Sequence, residues 1–479
     1  MIPKMLPAAL GAMTVLALLL LFPRYTYNDP DTFWHIELGR YMVEHQTVLH
    51  HAIHTFYGDK LPYVPHEFAF QIVISLLYTA FGWAGAYLLT AFCLAMLIFG
   101  MDRLTRVSRT ELGLEPRHPL LLPFILLVVS WIFYNYFAIR PQMVSAWMIV
   151  WFVAFLREFQ MRPSGKKTVL LTLLSLGVAN FHAGVWLVIA AFTAMAVIET
   201  WWERRWTKRH TFTFAAVLLA GLANPGGLKS ILFILTVTKG DFNMLINEWQ
   251  PIPFAKMAHF PILLLLLFFV SILPFTLHRK PFRFLFMLGI LYLGVSSFKQ
   301  NLFMWLFIPY FAATLPDEIP ALRGMRVKFG TRSLAVCLLI GLAANTWQVF
   351  QQPPAVDVRL YPVKEMDFIL RQTADGHRPK VMASYGASGY VMFRGGDVLC
   401  DGRQDPFVTD ESKGALGWNA FQRSMYGFGE YLPEIVAYDK PEYVIARNDV
   451  SGKLLEDWSK EFGPPAFKGD FGSVFAIAR

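Results

Sequence analysis

The chain has 479 residues with a formal net charge of +9; 55% are hydrophobic, 16% aromatic and only 16% charged. With a mean hydropathy of +0.42, so few charges beside so many aromatics exclude an ordinary soluble protein and put the chain in the membrane class. The positive charge does not indicate nucleic acid, because the basic residues cluster in short loops between apolar runs. Cys93 and Cys337 fall in apolar runs and Cys400 stands alone in a polar region, which gives neither a disulfide framework nor a thiolate metal site.

In chain order, Lys4 precedes an apolar run over 6–22 whose Leu-Phe-Pro-Arg ending lacks the small residues of a cleavage site. An uncleaved first span is therefore expected. Residues 23–67 form a long, His-rich polar loop, followed by apolar runs at 68–82 and 83–100. Gly82 and Gly85 mark a break between these two, so the first reads as an interfacial or re-entrant helix and the second as a full span. Further runs lie at 120–137, 143–159, 168–179, 185–198, 212–222, 260–277, 282–298, 302–315 and 333–350.

Lys and Arg cluster in alternate loops: Arg103, Arg106, Arg109 and Arg117, then Arg157, Arg162, Lys166 and Lys167, then Arg204, Arg205, Lys208 and Arg209. Arg279, Lys280 and Arg283, and finally Arg323, Arg326, Lys328 and Arg332, continue the pattern. The positive-inside rule places these loops in the cytoplasm and predicts about eleven spans, with the N-terminus inside and the C-terminal part outside. The predicted organisation is a transmembrane domain over 1–350, a Pro-containing linker over 351–360 and a soluble extracytoplasmic α/β domain over 361–479. In that domain a helix is expected over 366–372 and strands over 380–383, 390–393, 397–400, 443–446 and 473–478.

Topology sorts the polar residues. The first outer loop holds Asp29, Asp31, His35, Glu37, His66 and Glu67; later outer turns hold Tyr136, Arg140 and Gln142, then Asn180 and His182, then Asn224, Lys229, Glu248 and Trp249, then Lys299 and Asn301. Polar groups gathered on one side by separate helices suit a binding cavity. Each has a plainer reading. One of Asp29 and Asp31 is expected to N-cap a helix over 32–43, since two Asp side chains cannot both cap it. The Phe33, Trp34, Leu38 and Tyr41 face of that helix is expected at the membrane surface. Asn180 and Asn224 suit helix caps, and Arg140, Lys229 and Lys299 suit snorkelling to the interface or pairing with phosphate. His66-Glu67 lacks the second His of a His-Glu-x-x-His motif. A divalent metal held by His35, His66, Glu67 or an Asp is the weaker reading, and no metal ligand is assigned.

Asn28-Asp29-Pro30-Asp31-Thr32-Phe33-Trp34-His35-Ile36-Glu37-Leu38-Gly39-Arg40 resembles the D-x-D-x-W-W-H-L-x-x-G-R opening of bacterial multi-spanning proteins related to the GT-C superfamily of glycosyltransferases, with Phe33 for the first aromatic. Pro65-His66-Glu67-Phe68, Ala138-Ile139-Arg140-Pro141-Gln142, Asn180-Phe181-His182-Ala183-Gly184, Leu222-Ala223-Asn224-Pro225-Gly226-Gly227 and Asn247-Glu248-Trp249 match further pieces. Tyr385-Gly386-Ala387-Ser388-Gly389-Tyr390 and Cys400-Asp401-Gly402-Arg403 are similar to the group's W-G-G-Y-L and D-G-R pieces, with Ser388 replacing a Gly.

The resemblance implies a bacterial plasma-membrane transferase that moves a sugar from a polyprenyl-phosphate donor to an extracytoplasmic glycan, lipid or protein acceptor. Asp29 or Asp31 is the implied base, with Asp29 the expected base and Asp31 the more natural cap. Arg140 or Lys299 would face the leaving phosphate, the lipid tail would lie between apolar helices, and Trp34 and Trp249 would stack on sugar. His35, His66, Glu67, Gln142, Asn180, His182, Asn224, Glu248 and Asn301 complete the expected binding set. The competing readings are a non-catalytic glycan- or partner-binding membrane protein and a lipid-carrier transporter or flippase. The transporter reading is disfavoured by the lack of a visible inverted repeat and by charges gathered on one side.

Overall fold

The structure is a computed structural model and describes residues 29–237, 246–253, 256, 259–277, 281–319, 347–348, 350–351 and 355–477. The expected first span, most of the last span, and the basic residues Arg279, Lys280, Arg323, Arg326, Lys328 and Arg332 lie outside the described residues. In chain order the main helices begin with α1 (Pro30–His45), α2 (Phe68–Phe81), α3 (Trp83–Glu111), α4 (Leu121–Tyr136), α5 (Pro141–Met161) and α6 (Gly165–Phe181). They continue with α7 (Trp186–Trp202), α8 (Lys208–Ala220), α9 (Leu228–Val237), α10 (Phe260–Leu277), α11 (Pro281–Ser296) and α12 (Leu302–Ala312). Further on come α13 (Val363–Gln372), α14 (Tyr385–Phe393), α15 (Ala420–Tyr426), α16 (Leu432–Asp439) and α17 (Gly452–Phe462).

The chain divides into two compact units. One comprises Met1–Arg24, Tyr87–Phe137 and Pro141–Gln352; the other comprises Tyr25–Ala86, Ala138–Arg140 and Pro353–Arg479. The first outer loop of the sequence reading, the break at Gly82 and the Ala-Ile-Arg segment thus belong with the C-terminal residues in one folding unit.

The first unit is helical. Among the described residues, Trp83–Glu111, Pro141–Met161 and Ala183–Trp202 are long and apolar enough to cross a membrane, and shorter apolar helices accompany them. Large apolar side chains such as Phe212, Leu219, Leu264, Leu267 and Tyr292 stay exposed, as expected where lipid rather than water is the solvent. The chain is a membrane protein. Orientation alone was expected to explain the Arg residues at the basic helix ends, yet several are buried in ion pairs. Arg157 on α5 donates to Glu111 of α3 at 2.6 Å and to Glu199 of α7 at 2.5 Å. Tyr310 of α12 donates to Glu111 at 2.8 Å, and Arg283 of α11 donates to Ser108 of α3 at 2.9 Å. These charges are almost fully buried and ligate five helices to one another. A charge in an apolar interior persists only when paired in this way.

The second unit contains a mixed sheet built from β1 (Lys380–Met382), β2 (Asp397–Val398), β3 (Tyr443–Arg447), β4 (Phe467–Lys468) and β5 (Gly472–Ala476), in the order β2-β1-β3-β5-β4. β1 runs parallel to β2 and β3, whereas β5 is antiparallel to β3 and β4. Val444, Ile445 and Ala446 are all buried, the near-continuous apolar run of a strand covered on both faces. A bridge from Thr55 to Val398 adds the first loop to the β2 edge.

Two sequence expectations are corrected here. Residues 390–393 are not a strand but the end of α14, since a short apolar run does not itself distinguish strand from helix. The aromatic face of α1 is not interfacial. Phe33, Trp34 and Leu38 are buried in a core with Tyr361, Ile369, Ala387, Tyr390, Val391 and Val474, and the Phe33 ring meets Tyr361 edge-on at 4.7 Å and Tyr390 at 5.0 Å. A C-terminal segment more than 300 residues away covers the surface that looked lipid-facing.

Candidate active site

The site starts at the first turn of α1. Pro30 at the helix start has a backbone preset for that position. Asp29 is the N-cap: its Oδ1 accepts the Asp31 backbone N–H at 2.9 Å. This reverses the expectation that Asp31 is the cap. The reason is Pro30, which fixes the first helical residue and leaves the residue before it extended. Asp31 is left in the first turn, where the helix dipole favours an anion.

Arg140 bridges the two acids. Its Nε donates to Asp29 Oδ2 at 2.5 Å, and its Nη1 lies 3.3 Å from Asp31 Oδ2. Thr32 holds the short 138–140 segment in place by donating to the Ile139 carbonyl at 3.2 Å. Trp34 Nε1 donates to Asp31 Oδ1 at 3.0 Å, so the indole orients a carboxylate instead of presenting a stacking face. Trp34 is only 3% exposed, which rules out the sugar-stacking role expected of it. Asp31 keeps 21% of its side-chain surface open, against 9% for Asp29.

One turn further along α1, His35 Nε2 lies 3.8 Å from Glu67, and His66 Nε2 lies 3.7 Å from the same carboxylate oxygen. His66 Nδ1 pairs with the Val64 carbonyl at 2.8 Å. Among the described residues no group of three or more His, Cys, Asp or Glu is arranged to hold a metal ion. At the acidic pair, the cap, the Trp34 N–H and the Arg140 guanidinium surround the carboxylate oxygens that a divalent cation would need. The residues present therefore do not fit such a cation, which requires several oxygen ligands and no competing positive charge.

The C-terminal segment supplies the remaining wall. A Cβ on Gly402 would lie 2.2 Å from Asp31 Oδ1 and 2.5 Å from Trp34 Nε1, so only glycine permits this approach. A Cβ on Gly389 would lie 2.6 Å from the Pro30 carbonyl. Tyr385 lies one turn before Gly389 on the same face of α14. Burial, then the Asp31 charge, pushes the Tyr385 hydroxyl well above its ordinary pKa, and burial, then Asp29 and Asp31, does the same to Tyr361. Both phenols stay protonated beside the acids. Sequence reasoning missed Tyr361, Tyr385 and Gln404. The Tyr-Gly-Ala-Ser-Gly piece that begins at Tyr385 and the Asp-Gly-Arg piece just before Gln404 were the available signal, and Tyr361 had none.

The other expected residues lie in the helical unit, where they fall into separate groups. His182 Nδ1 is 3.0 Å from Ser145 Oγ, and Ser145 also donates to the carbonyl of Gln142 at 3.2 Å. Asn180 is not a cap; it lies within α6 and donates to the Leu176 and Ala223 carbonyls at 2.8 and 2.9 Å. Asn224 likewise shapes a turn, accepting from the Gly226 N–H at 3.1 Å. Asn301 is fully buried and accepts from Tyr136 at 2.8 Å and Trp305 at 3.1 Å. Lys299 lies 3.6 Å from Glu248 and 5.0 Å above the Trp249 ring.

No family model matches the chain, and neither does any curated protein sequence. Solved structures do. The archaeal oligosaccharyltransferase AglB from Archaeoglobus fulgidus, in complex with an inhibitory peptide and a dolichol-phosphate, is 12% identical with a TM-score of 0.52 over 93% of this chain and 70% of that one. The Archaeoglobus fulgidus oligosaccharyltransferase in the apo form is 12% identical with a TM-score of 0.50 over the same shares, 93% and 70%. The same enzyme tethered by a disulfide to an acceptor peptide containing the NVT sequon is 11% identical with a TM-score of 0.51 over 99% of this chain and 74% of that one. In fold, this mostly helical membrane chain with its small C-terminal sheet is similar to these oligosaccharyltransferase structures.

Proposed function

We propose that the chain is a GT-C membrane glycosyltransferase that moves a sugar from a polyprenyl-phosphate donor to an acceptor hydroxyl or amide at the Asp29–Asp31–Arg140 site. The observation that carries this reading is the geometry of Arg140, which holds two carboxylates of one helix start 2.5 and 3.3 Å from its nitrogens, with Asp31 open to solvent. Asp31 is the base. It removes the acceptor proton as the acceptor atom attacks the anomeric carbon, and the bond from that carbon to the donor phosphate breaks with its electron pair on phosphate. Asp29 caps the helix and holds Arg140. The guanidinium fork of Arg140 suits the charge growing on the leaving phosphate.

The helical unit by itself holds an apolar cavity of about 510 Å³, lined by Leu120, Phe124, Leu264, Phe268, Trp305 and Ile308, of the kind that takes an aliphatic chain. The organisation we propose keeps about eleven spans with the N-terminus inside, and puts the reaction on the extracytoplasmic side of a bacterial plasma membrane. His35, His66 and Glu67 support the helix start, and Gln142, His182, Glu248, Trp249 and Lys299 are offered as further substrate contacts. The test is mass spectrometry of surface glycans, glycolipids and glycoproteins in a deletion strain complemented with wild type or Asp31→Asn. Wild type restores a missing glycan and Asp31→Asn inserts but does not. Full restoration by Asp31→Asn would remove Asp31 as base.

A further inference from the structure

The loop Asp401–Asp405 is held with unusual care for a segment that the transfer mechanism does not use. Asp401 and Arg403 form a buried ion pair at 2.5 Å, and the Arg403 N–H donates to Asp401 Oδ1 at 3.0 Å. Arg403 also donates to the Ile53 carbonyl at 3.0 Å, and the Asp405 N–H donates to the Arg403 carbonyl at 2.7 Å. Within this frame Gln404 adopts φ 61° and ψ −59°, a conformation that costs energy for a residue with a Cβ. Glycine would adopt it more easily, so the side chain is what the strain retains.

That side chain is half-buried and its Nε2 donates to Tyr385 Oη at 3.1 Å. Tyr385 is itself half-buried, with its ring set edge-on against Phe421 at 5.3 Å. Two residues before Gln404, Gly402 touches Asp31 and Trp34. Among the described residues the side-chain oxygen of Gln404, Oε1, has no hydrogen-bond partner, and the Tyr385 O–H, which accepts from Gln404 Nε2, has no acceptor. The two side chains therefore offer one acceptor and one donor, side by side, on the loop that packs against Asp31 through Gly402. A sugar hydroxyl both donates and accepts, and adjacent hydroxyls on a ring match such a pair.

We propose that Gln404 and Tyr385 form a saccharide-hydroxyl subsite beside Asp31, contributed by the C-terminal segment. The subsite rests on the glycosyl-transfer reading for its role, but not for its binding. The full-length protein in lipid nanodiscs is tested by saturation-transfer NMR with the methyl glycosides of glucose, galactose and mannose. At least one glycoside gives a signal with wild type, and the signal falls about tenfold, the worth of one or two hydrogen bonds, in Gln404→Gly and in Tyr385→Phe. Gln404→Gly keeps or raises the melting temperature, because glycine relieves the positive φ. A merely structural Gln404 gives the opposite pair of results, a lower melting temperature with glycoside binding intact, and overturns the proposal.

So does a wild type that ignores every glycoside, or one that takes up an Asn-Val-Thr peptide there instead. A short-chain prenyl phosphohexose distinguishes the two saccharide sources: it displaces the glycoside if the subsite holds the donor sugar and leaves it bound if the subsite holds a glycan acceptor. Transfer at the wild-type rate by Asp31→Asn would sink the transfer reading alone and leave the glycoside result standing.

Discussion

The Arg157 cluster of the helical unit and the Arg140 cluster of the other unit use the same chemistry, a guanidinium between two carboxylates. They differ in what is left over. Arg157, Glu111 and Glu199 are 3%, 1% and 0% exposed, and Tyr310, Gln160 and Arg283 engage them further. That cluster is closed. Arg140, Asp29 and Asp31 are 17%, 9% and 21% exposed, Gly402 packs closely on Asp31, and the Asp31 charge is felt at the Tyr385 hydroxyl. The first arrangement joins helices, while the second keeps charge where a substrate can reach it. Burial, and not residue type, separates scaffold from candidate site in this chain.

Breaking each cluster sharpens the contrast. The largest expected effect is on turnover: Asp31→Asn lowers transfer by about 10²–10⁴-fold, the usual worth of a general base, with thermal unfolding in detergent unchanged. Arg157→Met should do the reverse. Stranding Glu111 and Glu199 costs about 3–5 kcal/mol of stability, read as a lower unfolding temperature and reduced accumulation, and any folded fraction retains its activity per molecule.

Gly402→Ala tests the close approach to Asp31. A methyl group 2.2 Å from Oδ1 must push the loop or the carboxylate aside, at a cost of about 1–3 kcal/mol. Transfer should fall further than stability does, and equal wild-type values of both would show that the loop does not press on the acid.

The smallest effect expected is a pH slope. His54 is half-buried beside Glu37 and Asp397 at 3.6 and 3.9 Å, too far for hydrogen bonds. Burial first, then the charges of Arg378, Arg403, His45 and Arg40, lower its pKa from 6.5 to about 3. The unfolded chain therefore binds a proton that the folded chain refuses between these values. Stability is full above the unfolded value and is lost as pH falls below it, by at most about 1.4 kcal/mol per pH unit. Unfolding followed across this window should show the slope in wild type and a flatter one in His54→Asn.

Much of this was legible in the chain itself. Apolar length marked the membrane helices, Gly82 marked the break between α2 and α3, and short apolar, β-prone runs marked β1, β3 and β5. Asp29 and Asp31 stood out because acids beside an apolar wall are costly. Periodicity and cost are local properties, so the sequence by itself determined the class of the protein, the position of most helices and the acidic pair. Only the tertiary structure decided which acid caps the helix, what Arg140 binds and what covers Phe33 and Trp34. Pro30 and Gly402 act through backbone geometry and close approach. Arg140 and Gly402, which lie against Asp31, are more than 100 residues from it along the chain. A hydrogen bond or a buried face depends on distance in space, which spacing along the chain does not encode.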